Sequence, residues 1–224
     1  MQGWFITFEG GEGAGKSTQI ERLRHRLERM GHQVRTTREP GGSPKAEHIR
    51  AAILGGRAKH LGPVAEALMF YAARHDHLEQ TIRPALEQGI HVLCDRFADS
   101  TRAYQGARGE VDAAILASLE RVVVAETAPD LTFILDLPAE AGLARAGARQ
   151  RERGEAADRF EAEAVSFHQA LRDRFLAIAA AEPERCAVID AAQPLEAVEA
   201  AIWTIVEERA PALAQPPNAR AHVA

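Results

Sequence analysis

Several things are scarce in this chain, and each scarcity excludes something. Only two of its 224 residues are cysteine, and both Cys94 and Cys186 lie inside apolar runs. A disulfide framework is therefore excluded, and two small buried hydrophobes of a reducing compartment are expected. No apolar run approaches the ~20 residues that a bilayer span requires, and the N-terminus lacks the basic region of a signal peptide. Positive charge is not in excess either: 27 Lys and Arg against 32 Asp and Glu leave a formal net charge of -5, which argues against a dedicated nucleic-acid binder. There is no internal repeat and no linker. The expectation is a cytoplasmic protein with no membrane and no nucleic-acid partner, folded as one domain large enough for a two-sided α/β core.

What is present begins with Gly10-Gly11-Glu12-Gly13-Ala14-Gly15-Lys16-Ser17-Thr18. Its spacing is that of a phosphate-binding loop, and its setting agrees. Trp4 to Glu9 is a short aromatic and β-branched run that reads as a buried strand. Ile20, Leu23, Leu27 and Met30 follow at helical spacing. Such a loop turns several backbone N–H groups inward at a helix N-terminus and so cradles an anion. Lys16 would reach the β and γ phosphates and the Ser17 hydroxyl would ligate Mg²⁺. A dinucleotide fingerprint fails, because Lys16 stands where its third glycine would fall.

Further along, the pattern alternates. Strands are expected at 32–37, 90–95, 131–137 and 186–190, with helices at 44–54, 63–86, 112–125, 160–181 and 194–208. A glycine-bearing segment, 96–109, leads into the third of these helices. Another helix starts at Pro138 and degrades into an arginine-dense stretch at 145–154. The tail 210–224, with three prolines, has no core-forming pattern and is expected to be disordered. The fold class is α/β: a five-stranded parallel sheet with helices on both faces. Ligands of such a sheet bind at the carboxyl ends of its strands, which gathers the glycine loop, Arg38, Asp95, Arg96 and Asp136 along one edge.

Asp95-Arg96 is the second strong feature, an acid able to hold Mg²⁺ beside an arginine able to clamp a phosphate. Asp136 competes as the magnesium acid. Phe70, Arg74 and His77 share a helix face. They read either as core and a solvated charge, or as an aromatic platform for a base with an arginine on its edge. Arg145, Arg149, Arg151, Arg153 and Arg159 read either as a solvated face or as a mobile lid over ATP, at about 145–159.

Taken together, these residues resemble the thymidylate kinase family. The resemblance runs from Phe8 to the last helix and rests on 8–18, 37–42, 68–74, Asp95-Arg96, 100–106 and 129–132. It implies a P-loop NTPase-type three-layer fold with a short lid, residues 1–209 as a single nucleoside monophosphate kinase domain, and a homodimer. It also implies ATP as donor, Mg²⁺ as cofactor, and conversion of dTMP to dTDP on the way to dTTP. Carried over by position, Phe70 stacks on thymine, Arg74 reaches a base carbonyl, and Thr101 and Gln105 line the base pocket. Tyr104 sits where a 2′-hydroxyl would clash, Arg38 and Arg96 hold the acceptor phosphate, and Glu9 stands near the sugar and the magnesium. Glu12 in the loop and arginines in the lid match the bacterial branch in which the lid supplies the catalytic arginine, with Arg149 and Arg153 as candidates. The competing readings are a kinase for another nucleoside monophosphate or a deoxynucleoside, and a non-catalytic nucleotide switch. Against the switch, no guanine-reading Asn-Lys-x-Asp string is present.

Overall fold

The computed structural model describes residues 2–109, 111–154, 160 and 163–217, with the backbone alone for 59, 107, 108 and 153. Its centre is β1 (Phe5–Glu9), every residue of which is buried. On either side lie β3 (His91–Asp95) and β4 (Leu131–Asp136), and the edges are β2 (Val34–Arg38) and β5 (Cys186–Asp190), in the order β2-β3-β1-β4-β5. All pairings are parallel. The three inner strands are apolar runs because both of their faces are covered, whereas β2, on the edge, carries two arginines and two threonines. The Asp130 carboxylate accepts from the Phe5 N–H at 2.7 Å and so fixes where β1 starts.

On one face, α1 (Lys16–Arg29) and α9 (Leu195–Arg209) bring Ile20, Leu23, Leu27, Val198, Ile202 and Trp203 against Ile6, Phe8 and Phe133. The other face carries α3 (Pro63–His77), α5 (Ala98–Arg108) and α8 (Val165–Ala181), with α2 (Pro44–Leu54) and α6 (Ala113–Val123) packed outside them. Between α3 and α4 (Arg83–Glu87) the rod widens into a π turn, Leu78–Ile82, immediately before Pro84, whose ring cannot follow an ideal α turn. Cys94 and Cys186 are free and buried, as expected. Among the described residues no helix is long and apolar enough to cross a membrane.

Three expectations need correction. The segment after Arg96 is a helix, α5, whose buried residues include Asp99, Thr101, Tyr104 and Gln105 beside two small alanines, and so it shows little apolar periodicity. The helix after Pro138, α7 (Ala139–Arg153), does not degrade but runs through the arginine-dense stretch, while 155–159 lie outside the described residues. The tail is packed where it is described: Ala210 and Leu213 are fully buried against the α1/α9 layer. Residues 218–224 lie outside the described residues.

Candidate active site

A cleft of about 470 Å³ opens along the carboxyl ends of β2, β3 and β1, lined by residues 12–18 of the glycine loop and by side chains of α2, α3, α5 and α7. At its donor end the Lys16 ammonium donates to the carbonyls of Gly10 (3.1 Å) and Gly11 (2.8 Å). Burial, and then Arg96, lower its pKa from the ordinary lysine value. The backbone of the loop is pressed against α7: a Cβ on Gly13 would meet the Gly142 carbonyl oxygen at 2.1 Å, and one on Gly142 would meet the Glu12 oxygen at 2.3 Å. Ser17 donates to the Asp95 carboxylate at 2.7 Å. These are two hard oxygen ligands at the rim, which suits an ion that also takes phosphate oxygens. Asp136, the rival acid, is held bidentately by Arg172 at 2.6 and 2.8 Å and does not line the cleft.

Arg96 is the junction of the site. It donates to the Gly10 carbonyl and to Ser100, both at 3.2 Å, and to Glu12 at 2.6 Å. Tyr104 donates to the same Glu12 oxygen at 2.8 Å. Burial would raise the pKa of Glu12, but Arg96 and Lys16 outweigh it and hold the carboxyl at about 2. The carboxylate of Glu12 thus faces Arg96 and Tyr104, while its backbone belongs to the loop. The backbone of Arg96 is left-handed, with φ at 67°, a conformation that costs a non-glycine residue roughly 1–2 kcal/mol. Glu9 holds that turn in place. Its carboxylate accepts from the Phe97 N–H (2.7 Å), the Ser100 N–H (3.2 Å) and the Ser100 hydroxyl (2.6 Å). Burial, and then Asp99, push its pKa up to about 7. Glu9 is fully buried and does not line the cleft; it stands behind the site as a brace for Arg96.

Arg74, read from sequence as either solvated or functional, is 2% exposed. It donates to Glu39 (2.8 Å), to the Phe97 carbonyl (3.1 Å) and to Thr101 (2.9 Å). Burial alone would lower its pKa, but Glu39 more than offsets this and the pKa is raised. Its Nη1 is buried and has no hydrogen-bond partner among the described residues, and the same holds for Gln105 Oε1. Phe70 lines the cleft beside them, with Tyr104 and Phe160 stacked edge to face at 5.3 Å. His77 is buried behind, bonded to Glu39 and Thr37, and takes no part in the lining.

The family model for thymidylate kinase matches residues 8–202. The chain belongs to the thymidylate kinase family. The thymidylate kinase of Caulobacter vibrioides is 59% identical over 208 residues, 93% of this chain and 98% of that one. That of Nitrobacter winogradskyi is 57% identical over 94% of this chain and 90% of its own length. A crystal structure of the thymidylate kinase from Ehrlichia chaffeensis matches with a TM-score of 0.73 at 32% identity, over 92% of this chain and 99% of that one.

Within this family member the arginine-dense stretch divides. Arg149 lines the cleft, whereas Arg145 donates to the Ala191 carbonyl at 3.0 Å and is used in packing. Arg153 ends α7 and its side chain, like the whole of Arg159, lies outside the described residues. Arg38 lines the cleft but is 55% exposed and paired with Glu47 at 3.1 Å. Sequence reasoning missed Arg50, which lines the cleft and donates to the Pro40 carbonyl at 2.7 Å. Nothing in its spacing distinguishes it from a surface arginine. It also missed Phe160 as a lining residue, although a single aromatic in so polar a stretch was a usable signal.

Proposed function

We propose that this chain transfers the γ-phosphoryl group of ATP to dTMP, giving ADP and dTDP, as a cytoplasmic enzyme on the route to dTTP. One observation carries the choice of base. Arg74 Nη1 is a buried donor and Gln105 Oε1 a buried acceptor, both without partners among the described residues, at one end of the cleft. Thymine offers a carbonyl and an N–H side by side on its pairing edge, which satisfies both. Cytosine offers the reverse pattern and would leave two buried polar groups opposed. Phe70 supplies the stacking platform, Thr101 holds Arg74 in position, and Tyr104 closes the pocket on the sugar side.

At the other end, Arg96 with Arg38 and Arg50 binds the acceptor phosphate, and Lys16 with the loop N–H groups binds those of ATP. No general base is needed, because the dTMP phosphate oxygen is already anionic near neutral pH. The chain's task is to align two anions and offset their charge, with Arg149 as the lid arginine best supported by position and Arg153 as the alternative. Ser17 and Asp95 would hold Mg²⁺, which when bound neutralises charge on the donor phosphates. A homodimer through α3 and α6 fits the exposed Val64, Leu68, Ile115 and Val122 on those two helices.

The test is ADP formation with Mg²⁺-ATP and, in parallel, dTMP, dUMP, UMP, dCMP, dGMP or no acceptor. A clear preference for dTMP with dCMP near background is expected, and Lys16→Ala or Arg96→Ala should lower turnover by orders of magnitude. Equal rates on dCMP would refute the base-pocket reading, and acceptor-independent hydrolysis alone would favour a switch.

A further inference from the structure

Two buried side chains meet the base in the pocket described above, and each must be held in one orientation to read anything. Arg74 is held by Glu39, Thr101 and the Phe97 carbonyl. Gln105, on α5, has a harder requirement, because its amide carries an acceptor at one end and two donors at the other in nearly the same shape. Half a turn about its last bond meets no new clash, yet it exchanges a reader of N–H groups for a reader of ring nitrogens. A pocket that tells thymine from cytosine has to forbid that turn.

The residue placed to forbid it is Glu66. It stands in the first turn of α3, is 4% exposed, and does not line the cleft, whereas Gln105 does. Gln105 Nε2 donates to Glu66 Oε1 at 3.4 Å, and Gln105 Oε1, at the other end of the amide, is buried without a hydrogen-bond partner among the described residues. A carboxylate oxygen can only accept. With the amide reversed, two acceptor oxygens would face each other in a buried gap, losing the bond and adding a repulsion that water does not screen. At 3.4 Å the bond is long, so its effect is to set the sense of the amide more than to stabilise the fold.

We propose that Glu66 is a positioning residue that sets base specificity: by accepting from Gln105 Nε2 it keeps Gln105 Oε1 turned to the cleft, where that oxygen takes the N–H of a thymine ring and opposes the lone pair of the cytosine ring nitrogen. The inference rests on the reading of Arg74 and Gln105 as the base pocket, and it gives a role to a buried acid on which that reading makes no demand. Cytosine is then rejected at two points, since Arg74 opposes its amino group and Gln105 its ring nitrogen.

The experiment measures kcat/KM for dTMP and for dCMP with saturating Mg²⁺-ATP in the parent, Glu66→Gln, Gln105→Ala and the double variant. Glu66→Gln keeps the shape and lets the two facing amides pair in either sense. It should raise kcat/KM for dCMP about tenfold, because one buried mismatch is relieved, while dTMP loses roughly two- to threefold because the amide is no longer preset. dTMP stays the better substrate, since Arg74 still opposes the cytosine amino group. Removal of a merely structural acid lowers both values and cannot produce a gain on the wrong base. Parallel losses that keep the parent's dTMP-to-dCMP ratio would overturn the proposal. Gln105→Ala separates the two levels. It should lower the ratio, and Glu66→Gln placed on it should change the ratio no further. If Gln105→Ala lowers the ratio and Glu66→Gln does not, only the role of Glu66 fails; if Gln105→Ala leaves it unchanged, the base-pocket reading fails and the proposal with it. Should Glu66→Gln not fold, proton NMR of the parent with dTMP bound decides. The Gln105 amide protons must show stronger Overhauser contact with the Glu66 methylenes than with the thymine N–H, and the reverse order overturns the idea.

Discussion

Acid should weaken this fold through a pair of histidines far from the cleft. His91 Nδ1 accepts from the Trp4 N–H at 3.0 Å, so its proton must sit on Nε2, which faces His32 Nδ1 at 3.2 Å. His32 is thereby left with its proton on Nε2, 2.9 Å from the Gln215 carbonyl. The relay requires a neutral His91, because a second proton on that ring would oppose the Trp4 N–H. Burial, and then the neighbouring His32, lower the pKa of His91 from 6.5 to about 4. A histidine depressed in the folded state contributes stability that is present above 6.5 and is lost as pH falls towards 4, because the unfolded chain binds the proton first. The full difference is worth about 3 kcal/mol, of which about 2 kcal/mol is gone by pH 5. Taken alone, this contribution would lower the Tm of a domain of this size by roughly 4–8 °C between pH 7.5 and pH 5. Glu9 acts in the opposite sense in the same window, since its pKa, raised to about 7, makes it stabilising at low pH and less so as pH rises. The measurement is therefore a difference. Urea unfolding is followed at both pH values for the parent and for His91→Gln, which keeps an acceptor for Trp4 and cannot titrate. The parent should lose about 2 kcal/mol more than the variant on acidification. Parallel pH profiles would refute the reasoning.

Three other outcomes follow from the site. Gly142→Ala drives a methyl into the Glu12 carbonyl oxygen and should destabilise by roughly 1–3 kcal/mol while weakening ATP binding. Gly147→Ala on the same helix meets only an Arg151 side-chain nitrogen at 3.5 Å and should be neutral or stabilising, and thermal scans with ATP titrations compare the two. Arg74→Met leaves Glu39 buried without its charge partner and should lose about 3–5 kcal/mol in urea unfolding together with dTMP binding; adding Glu39→Gln should restore stability but not binding. Chelation should stop turnover reversibly, and Asp95→Asn should raise the Mg²⁺ concentration for half-maximal rate about tenfold in a metal titration, with the unfolding curve unchanged.

The layout of the sheet was legible in sequence because β1, β3 and β4, covered on both faces, are largely apolar runs, and because the glycine loop fixes what lies before and after it. What escaped was decided by partners distant in sequence. Arg74 looks like any helix-surface arginine until Glu39 and Thr101 are folded around it. In sequence Asp136 competes with Asp95 as the magnesium acid, ranking lower because Leu137-Pro138 offers no second phosphate-binding group, and in the fold Arg172 occupies it. The family resemblance placed Glu9 near the sugar and the magnesium, whereas the oxygens of its carboxylate accept from a turn 88 to 91 residues away. In α5 the large buried side chains that line the pocket, Thr101, Tyr104 and Gln105, are polar or carry a hydroxyl, and its buried apolar residues besides Tyr104 are only Ala98 and Ala103, so hydrophobic periodicity had little to report. The same chemistry that makes that helix functional hides it from pattern reading.

The contact between Gly13 and Gly142 has a consequence for how this family's sequences vary. Each glycine is constrained by a backbone oxygen of the other segment, and no substitution at the opposite position can move that oxygen away. Two residues that touch so closely would therefore show no correlated change across homologues, and each would register as a separate unvarying site. Contact maps inferred from covariation would leave blank the seam that joins the phosphate loop to α7, although the two backbones lie as close there as steric limits permit.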